Sequence, residues 1–451
     1  MTAYRRLIAL VLTALVAAPG AARALELTFW TTEFEPDRLA TVRYLTNAYA
    51  AERGNLKINV VGVEENDFLA RFDAALQSGH PPDLFDAGGI VLKTLADAGR
   101  LDFEAATTMI RELGASRFYA GALNAMRVGK SGEYLAVPLR QWAQGLWYRA
   151  DWFEEANLPP PTTWERLLSA ARIFNTPEAG RYGIVIGTKA DIYAEQIFSQ
   201  LAMSNGARLF DKSGKFAPDQ KKFSETFAFY KNLSVNAPPG DVTWHQRDLF
   251  LNSHAAMMFY STFIADDIAL FSEHGSPADY ETAAAWPPPR FGPAKELINV
   301  VRMVPIIKHS RGAAYAEISA LGVTAGRNRQ TREAALGLIR FLFRDDAYIS
   351  WLHMAPGGML PTIRDIASKP TFSRDLQGVF RRYGRIRILG FMKGLNGAEP
   401  FGIFTGGDAR NVETLSHTKV LPNLIKSVID GKMTPDEAAR RLSKVRVFAA
   451  K

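Results

Sequence analysis

The stretch LELTFWTTEFEPDRLATVRYLTNAYAAERGNLKINVVGVEENDFLARFDAALQSGHPPDLF, at residues 25–85, decides the fold. Apolar residues alternate over residues 25–30, which predicts a β-strand. Pro36 then opens a predicted helix, and residues 57–63 return to the strand pattern. One face of that helix is apolar and carries Leu39, Val42, Thr46 and Tyr49. The first 40 residues of this stretch therefore form a strand–helix–strand unit.

A second helix follows in the same stretch. Asn66 is placed to cap it, and Gly79 is placed to end it. Its apolar stripe consists of Phe68, Leu69, Phe72 and Leu76. A short strand is predicted at residues 84–85. Strands that alternate with helices in this way favour parallel sheets built from βαβ units, so the predicted fold class is α/β.

The alternation continues along the rest of the chain. Strands are predicted at residues 134–137 and 145–148, where we expect a second sheet to start, and Thr162 with Glu165 forms a predicted capping box for the helix 164–174. The remaining predicted elements are strands at 182–186, 255–260 and 318–323 and helices at 192–203, 219–235 and 331–343. No long Pro/Gly/Ser linker interrupts them. Two lobes joined by several short crossings fit better than two tethered domains.

The N-terminus has the pattern of a secretory signal peptide. Arg5 and Arg6 precede an apolar run at residues 7–18, and the small-residue triplet at 22–24 predicts cleavage after Ala24. The run is shorter than the roughly 20 residues of a spanning helix, although an uncleaved anchor remains the alternative. The chain contains no cysteine, which excludes a lipoprotein anchor. We therefore expect residues 1–24 to be a signal peptide and the remainder to be a soluble periplasmic protein.

Charge and composition exclude some classes of partner. The formal net charge of +8 falls by three when the signal peptide and its arginines are removed. The densest basic cluster, at residues 381–387, is interrupted by Tyr383, Gly384 and Ile386. Nucleic-acid binding calls for a larger, one-sided basic surface. The 22% of charged and 47% of hydrophobic residues are typical of a globular protein.

Four segments carry a resemblance to a known family. They are DFLARFDAALQSGHPPDL at residues 67–84, VPLRQWAQGLWYRADWFEEANLPPPTTW at 137–164, NGARLFD at 205–211 with AAMM at 255–258, and MLPT at 359–362. In order and spacing they resemble the family 1 extracellular solute-binding proteins, the periplasmic components of bacterial sugar ABC importers. The second segment is the most specific. Some maltose-type members carry a tryptophan after the Pro-Pro-Asp strand, whereas this chain has Asp86, so the ligand need not be maltose-like.

The resemblance implies a two-lobed periplasmic binding protein fold, type II-like, with the ligand in the interlobe cleft. It implies a first lobe of residues 25–139 plus 316–355 and a second of 140–315 plus 356–451, with crossings near Leu139, Tyr315 and Pro356. Closure of the lobes would sequester the ligand. The implied partners are a carbohydrate, either a sugar or an oligosaccharide, and the membrane permease subunits of an ABC importer. We expect a monomer without cofactor or metal.

Candidate ligand-binding residues lie at the ends of predicted elements. A sugar site needs flat aromatic faces for the ring and fixed polar groups for the hydroxyls, and open α/β sheets bind ligands at strand ends. Glycines there let backbone N–H groups approach a ligand. The predicted residues are Trp30, Thr32, Glu33, Glu64, Asn66, Asp86, Gly88, Arg140, Trp142, Tyr193, Trp244, Tyr260, Phe263, Trp286, Arg302, Gly357 and Gly358.

Several of these residues have a second interpretation. Trp30, Trp142, Trp244 and Trp286 are as compatible with a core as with a cleft. Glu64 fits a solvated turn, and Arg302 fits a surface. Arg140 fits a hinge salt bridge. Alternatively, Arg140 and Arg302 could neutralise an anion, which keeps a phosphorylated polyol such as glycerol 3-phosphate open as the ligand.

An enzyme is the alternative from another class. The sequence contains no G-x-S-x-G elbow, no H-E-x-x-H motif and no cysteine nucleophile. Glu33, Glu64 and Asp86 could in principle supply the two carboxylates of a periplasmic glycan hydrolase. Their separations do not follow from the sequence. Binding without catalysis is therefore the favoured interpretation.

Overall fold

The computed structural model describes residues 24–128, 131–211, 215–274, 297–395, 398 and 419–445. The predicted signal peptide lies outside the described residues except for Ala24, as does Trp286. The elements of the first half are β1 (Leu25–Thr31), α1 (Pro36–Arg53), β2 (Leu56–Gly62), α2 (Phe68–Gln77), β3 (Leu84–Gly88), α3 (Gly89–Asp97), α4 (Phe103–Leu113), α5 (Ala120–Ala125), β4 (Val137–Arg149), α6 (Ala150–Glu155), α7 (Trp164–Phe174), β5 (Tyr182–Val185) and α8 (Ile192–Ser204).

The second half continues the mixture of helices and strands. Its elements are α9 (Gln220–Ser234), α10 (Arg247–Leu251), β6 (Ala255–Ser261), α11 (Ile264–His274), α12 (Leu297–Val300), β7 (Val301–Val304), β8 (Ile307–Lys308), β9 (Gly312–Ala313), β10 (Tyr315–Val323), α13 (Arg329–Leu342), α14 (Asp345–Leu352), β11 (Leu360–Pro361), α15 (Val379–Phe391), α16 (Val420–Ile429) and α17 (Pro435–Ser443). The α/β alternation predicted from the sequence is confirmed.

One mixed sheet joins most of the described strands. Its order is β2-β1-β3-β10-β4-β6-β5, and β7 and β11 also pair with β4. The pairs β1–β2, β1–β3 and β5–β6 are parallel, whereas β10 runs antiparallel to both of its neighbours. The strand ends of β1 and β3 therefore lie side by side, next to the long strands β4 and β10.

The expected second sheet is wrong for the described strands. The strand predicted at 145–148 is part of the 13-residue strand β4, whereas the strand predicted at 134–137 overlaps β4 only at Val137. The first part of β4 pairs with β10 and β11, and its second part pairs with β6 and β7. Because β4 changes partners along its length, it carries the sheet from one half of the molecule into the other.

Two predicted helix caps are also wrong. Helix α7 has the predicted bounds, but its N-cap is Thr163, whose hydroxyl accepts a hydrogen bond from the backbone N–H of Arg166. Helix α2 begins after a short 3₁₀ turn at Glu65–Asp67, so its N-cap position is Asp67 rather than Asn66, and no side chain caps it. The identity of an N-cap residue depends on where the first turn of the helix starts. Sequence patterns leave that position uncertain by a residue or two.

The apolar faces of the helices cover the sheet. Near β1, the ring of Trp30 makes edge contacts with Phe68 and Phe72, at centroid distances of 5.8 and 6.3 Å. In the other half, Phe198 on α8 packs against Phe227 on α9 at 4.6 Å. The C-terminal helices α16 and α17 pack on α8 and α9. These contacts hold the strand ends in place.

Gly183, the glycine of β5, is expected to tolerate no larger side chain. A Cβ at this position would lie 1.9 Å from the carbonyl oxygen of Ala171 on α7. Because the obstacle is main chain, we expect Gly183→Ala to lower the free energy of unfolding by about 3 kcal/mol, measured by urea unfolding. Gly390→Ala is the control, since nothing lies within 4 Å of a Cβ there, and it should not destabilise the protein. Equal stability of the two variants would contradict the packing of α7 on β5.

Candidate functional site

The ends of β1 and β3 present a hydrogen-bonded group of polar side chains. The backbone N–H of Thr32 donates to Asp86 Oδ1 at 2.9 Å, and the Thr32 hydroxyl donates to Asp86 Oδ2 at 3.3 Å. Glu33 is 3% exposed and Asp86 is fully buried. Two carboxylates from neighbouring strands are thus enclosed together. This juxtaposition follows from the parallel pairing of β1 with β3.

Arg140 on β4 neutralises this group. Its Nη2 makes a close ion pair with Glu33, lies 3.9 Å from Asp86 Oδ2, and donates to the Thr32 hydroxyl at 3.4 Å. The side chain of Arg38 on α1 adds an ion pair with Glu33 at 3.4 Å. Arg140 itself is only 8% exposed. It therefore forms a buried salt bridge between β4 and the strand ends, which was one of its two interpretations.

Burial is the largest influence on the pKa values of Asp86 and Arg140. Desolvation raises the pKa of Asp86 to about 6, although Arg140 acts in the opposite direction. For Arg140, burial opposes the charge, but Glu33, Asp86 and Glu65 outweigh it and the pKa of the guanidinium is raised. The ion pair therefore persists at neutral pH.

A pocket of about 310 Å³ lies beside these strand ends. Five aromatic side chains line it: Trp142, Tyr193, Trp244, Tyr260 and Phe263. All five were among the predicted binding residues, and the structure brings them together from β4, α8, β6 and the turns next to α10 and α11. The other lining residues are Gln144, Ile192, Gln196 and Ser261. The pocket thus combines ring faces with amide and hydroxyl groups.

Internal contacts hold several of the rings. The Tyr193 hydroxyl donates to the carbonyl of Phe259 at 2.7 Å. Arg247 donates to the Tyr260 hydroxyl at 3.2 Å. The Arg38 guanidinium lies over the ring of Phe263, 5.7 Å from its centroid. Rings fixed in this way present preformed faces to a ligand.

Sequence reasoning missed the polar lining of the pocket. Gln144 follows Trp142 by two residues, so both face the same side of β4, and Gln196 follows Tyr193 by three residues on one face of α8. These spacings were available in the sequence. Ser261, at the end of β6, lies directly after Tyr260. Only the positions of β4, β6 and α8 relative to one another show that these residues meet.

Glu317 on β10 is the centre of a second acidic group, which the sequence did not indicate. It accepts hydrogen bonds from the Tyr315 hydroxyl at 2.5 Å and from Gln196 Nε2 at 3.1 Å. Burial raises its pKa, and the two hydrogen bonds only partly offset this effect. Burial and the charge of Glu317 together raise the pKa of Glu195, on α8, to about 8. The same two causes raise the pKa of Glu65.

The remaining predicted residues lie in different surroundings. Trp30 is 7% exposed and belongs to the core, its second interpretation. Trp244 is 43% exposed, at the rim of the pocket, with its ring stacked on His245. Glu64 precedes the turn that contains Asn66, beyond β2. Arg302 is exposed on β7, where its guanidinium donates to the carbonyls of Asn299 and Val301. Arg302 is not brought to the pocket.

The three predicted glycines make close approaches to other parts of the protein. A Cβ at Gly88 would lie 2.8 Å from Glu65 Oε1. Cβ atoms at Gly357 and Gly358 would lie 2.6 Å from the side chains of Ala265 and Phe263. The backbone N–H of Gly358 donates to the carbonyl of Ala355. The backbone of Gly358 therefore packs closely against Phe263, and its N–H group already has a hydrogen-bond partner.

The described residues contain a second pocket, of about 390 Å³, which is lined by charged residues such as Arg53, Arg329 and Glu333 and by no aromatic side chain. Within the described residues, no three His, Asp or Glu side chains are grouped in a way that could hold a metal ion. In the same ranges, no helix has both the length and the apolarity needed to cross a membrane. The aromatic pocket and the neighbouring strand ends are thus the candidate site.

Comparison with known proteins gives the chain its family. The family model of the bacterial extracellular solute-binding proteins matches residues 35–349. YcjN of Escherichia coli strain K12, which carries the name of an ABC transporter periplasmic-binding protein, is 26% identical over 407 residues, covering 90% of this chain and 88% of that protein.

Solved structures share the fold at low sequence identity. Maltose-bound MalE3 of T. maritima has a TM-score of 0.69 at 19% identity, covering 93% of this chain and 98% of that one. UgpB of Mycobacterium tuberculosis, in complex with glycerophosphocholine, has a TM-score of 0.68 at 15% identity, covering 93% and 96%. The predicted α/β, two-lobed fold is confirmed. With the family model matching more than half of its length, the chain belongs to the bacterial extracellular solute-binding proteins.

Proposed function

We propose that the protein captures a carbohydrate, either a sugar or an oligosaccharide, in the aromatic pocket and delivers it to the permease of an ABC importer. The pocket itself carries this proposal. Its five rings offer flat apolar faces, and Gln144, Gln196 and Ser261 offer donors and acceptors for hydroxyl groups. Rings and amides in one concave site match the two surfaces of a sugar. The family supports the role in transport.

Capture involves closure of two lobes in this proposal. Residues 25–139 with 316–355 form one lobe and residues 140–315 with 356–451 form the other. The crossings lie near Leu139, Tyr315 and Pro356, and the first two fall in β4 and β10. Strand β4 pairs with β10 over its first part and with β6 over its second part. The contact of Arg38 with Phe263 spans the two proposed lobes. A ligand held by both sides favours the closed arrangement by its differential affinity for it.

The site of action in this proposal is the periplasm. Residues 1–24 act as a signal peptide that is cleaved after Ala24, and the mature protein works as a monomer. Its partners are the ligand and the permease subunits. N-terminal sequencing of the exported protein tests the cleavage position.

A thermal-shift screen tests the ligand class. The mature protein is mixed with mono- and oligosaccharides, polyols, glycerol phosphates and amino acids. A ligand at 100 times its dissociation constant stabilises the folded state by about 2.7 kcal/mol, enough for a clear shift. We expect shifts with one carbohydrate class, and small-angle scattering should then show a smaller radius of gyration at saturation. Shifts with amino acids alone, or no shift with any carbohydrate, would contradict the proposal.

A further inference from the structure

We propose that the site selects its ligand by charge, accepting polyhydroxylated molecules that are uncharged or carry an amine and rejecting those that carry a phosphate or carboxylate. This inference rests on the proposed function and narrows it. It follows from which charged groups around the pocket already have partners and which do not.

The arginines around the site are already neutralised. Arg140 pairs with Glu33 and lies near Asp86. Arg38 pairs with Glu33 at 3.4 Å and with Glu35 at 3.2 Å. Arg247, behind the rings of Trp244 and Tyr260, pairs with Asp267 at 3.5 Å. An anionic ligand would have to compete with these carboxylates for each guanidinium, although the buried Nε of Arg140 has no hydrogen-bond partner among the described residues.

Carboxylates on the opposite side of the same region lack such partners. Glu195 and Glu317 have no ion pair within the part of the chain that the structure describes. Glu317 is held only by the neutral donors Tyr315 and Gln196, and Gln196 also lines the pocket. Both have a raised pKa, caused first by burial. Where Glu195 and Glu317 are ionised, an additional negative charge would meet a negative charge that has no ion-pair partner, whereas an amine would relieve it.

The geometry also places these carboxylates where ligand groups would reach. Glu195 lies on α8 between Tyr193 and Gln196, both of which line the pocket, and Glu317 contacts Gln196 directly. Carboxyl groups accept hydrogen bonds from sugar hydroxyls when ionised and can donate one when protonated. Neutral hydroxyls are therefore compatible with the group in either state. An anion is disfavoured when these carboxylates are ionised, because like charges brought together in a partly desolvated site are strongly unfavourable.

The experiment compares matched ligands that differ only in charge. Tryptophan-fluorescence titrations at pH 8 use glucose, glucosamine and glucose 6-phosphate, then glycerol and glycerol 3-phosphate, then maltose and maltose 1-phosphate. We expect the phosphorylated member of each series that binds to be at least about 30-fold weaker than its neutral parent. We expect the amine to bind as tightly as its parent or several-fold more tightly.

Isosteric variants assign the selectivity to these residues. Glu317→Gln and Glu195→Gln keep the side-chain shape and remove the charge, so the ratio of the two dissociation constants, phosphorylated over neutral, should fall by about 3- to 10-fold in each. The ratio is the quantity to compare, because both residues lie near the pocket and their replacement can change the affinity for every ligand. Glu155→Gln on α6 is the control, since Glu155 is exposed and lies outside the pocket, and it should leave the ratio unchanged.

The outcomes separate this inference from the proposed function. Neutral sugars that bind no better than their phosphates, or an unchanged ratio in both variants, would overturn charge selection while leaving carbohydrate capture intact. Binding of phosphorylated members alone would do the same. Failure of every sugar and polyol to bind would overturn the proposed function, and charge selection with it.

Discussion

Replacing Arg140 by methionine is expected to lower the free energy of unfolding by about 3 to 5 kcal/mol at pH 8. The reason is that the change removes one partner of a buried salt bridge and leaves the carboxylates of Glu33 and Asp86 enclosed without their main cation. Because methionine keeps most of the apolar part of the arginine side chain, the loss of stability measures the effect of removing the charge. Urea unfolding followed by tryptophan fluorescence measures it.

The loss should depend on pH in a defined direction. The pKa of Asp86 in the folded protein, about 6, is above its ordinary value of 3.8. A group with a raised pKa makes its full contribution to the stability of the folded state when the pH is below its ordinary pKa. This contribution is lost as the pH rises through about 6. Without Arg140 the folded-state pKa is higher still, so the difference between wild type and variant should grow from pH 4 to pH 8.

Arg302→Met is the matched control for this experiment. Arg302 is exposed, and its guanidinium donates hydrogen bonds to the main-chain carbonyls of Asn299 and Val301. Its replacement should change the stability by less than about 0.5 kcal/mol. If the two variants were equally stable at pH 8, Arg140 would not be the buried partner of Glu33 in solution.

Trp142→Ala is expected to weaken ligand binding by about 10- to 100-fold. Trp142 lies on β4 at the proposed crossing, lines the pocket, and packs at 5.9 Å against Tyr315 on β10. Removing a large aromatic face from the centre of a binding site is among the most costly single truncations for affinity. Isothermal titration calorimetry measures the effect with the carbohydrate that gives the largest thermal shift.

Two further variants make this test specific. Trp142→Phe retains a ring and should recover most of the affinity. Trp152→Ala removes a tryptophan that lies between the guanidinium groups of Arg149 and Arg181, outside the pocket, and should leave the affinity unchanged. If Trp142→Ala were folded by circular dichroism and bound the ligand with unchanged affinity, the ligand would bind outside this pocket.

Much of the fold was predictable because its patterns are local. The alternation of apolar residues in β1 and the apolar stripe of α2 identify their elements without reference to the rest of the chain. Helix α7 was predicted with its observed bounds. The full length of β4 was missed, because a strand that changes partners has no signature of its own.

Prediction of the candidate site was uneven for a related reason. The aromatic residues at element ends were found because they combine an apolar ring with a position where chains turn. Gln196 and Glu317 were missed, since their meeting depends on the contact between α8 and β10. Trp30 looked as favourable as Trp142, but the helix α2 covers its ring.

The sequence by itself determined the α/β class and the aromatic residues that line the pocket, because apolar periodicity and turn chemistry act over a few residues. Only the tertiary structure decided the charge of the site. Whether Arg140 meets a ligand or a carboxylate depends on the register that places β4 beside the ends of β1 and β3. The electrostatic energy of a buried charge is set by what surrounds it in space, and those neighbours are more than 50 residues away along the chain.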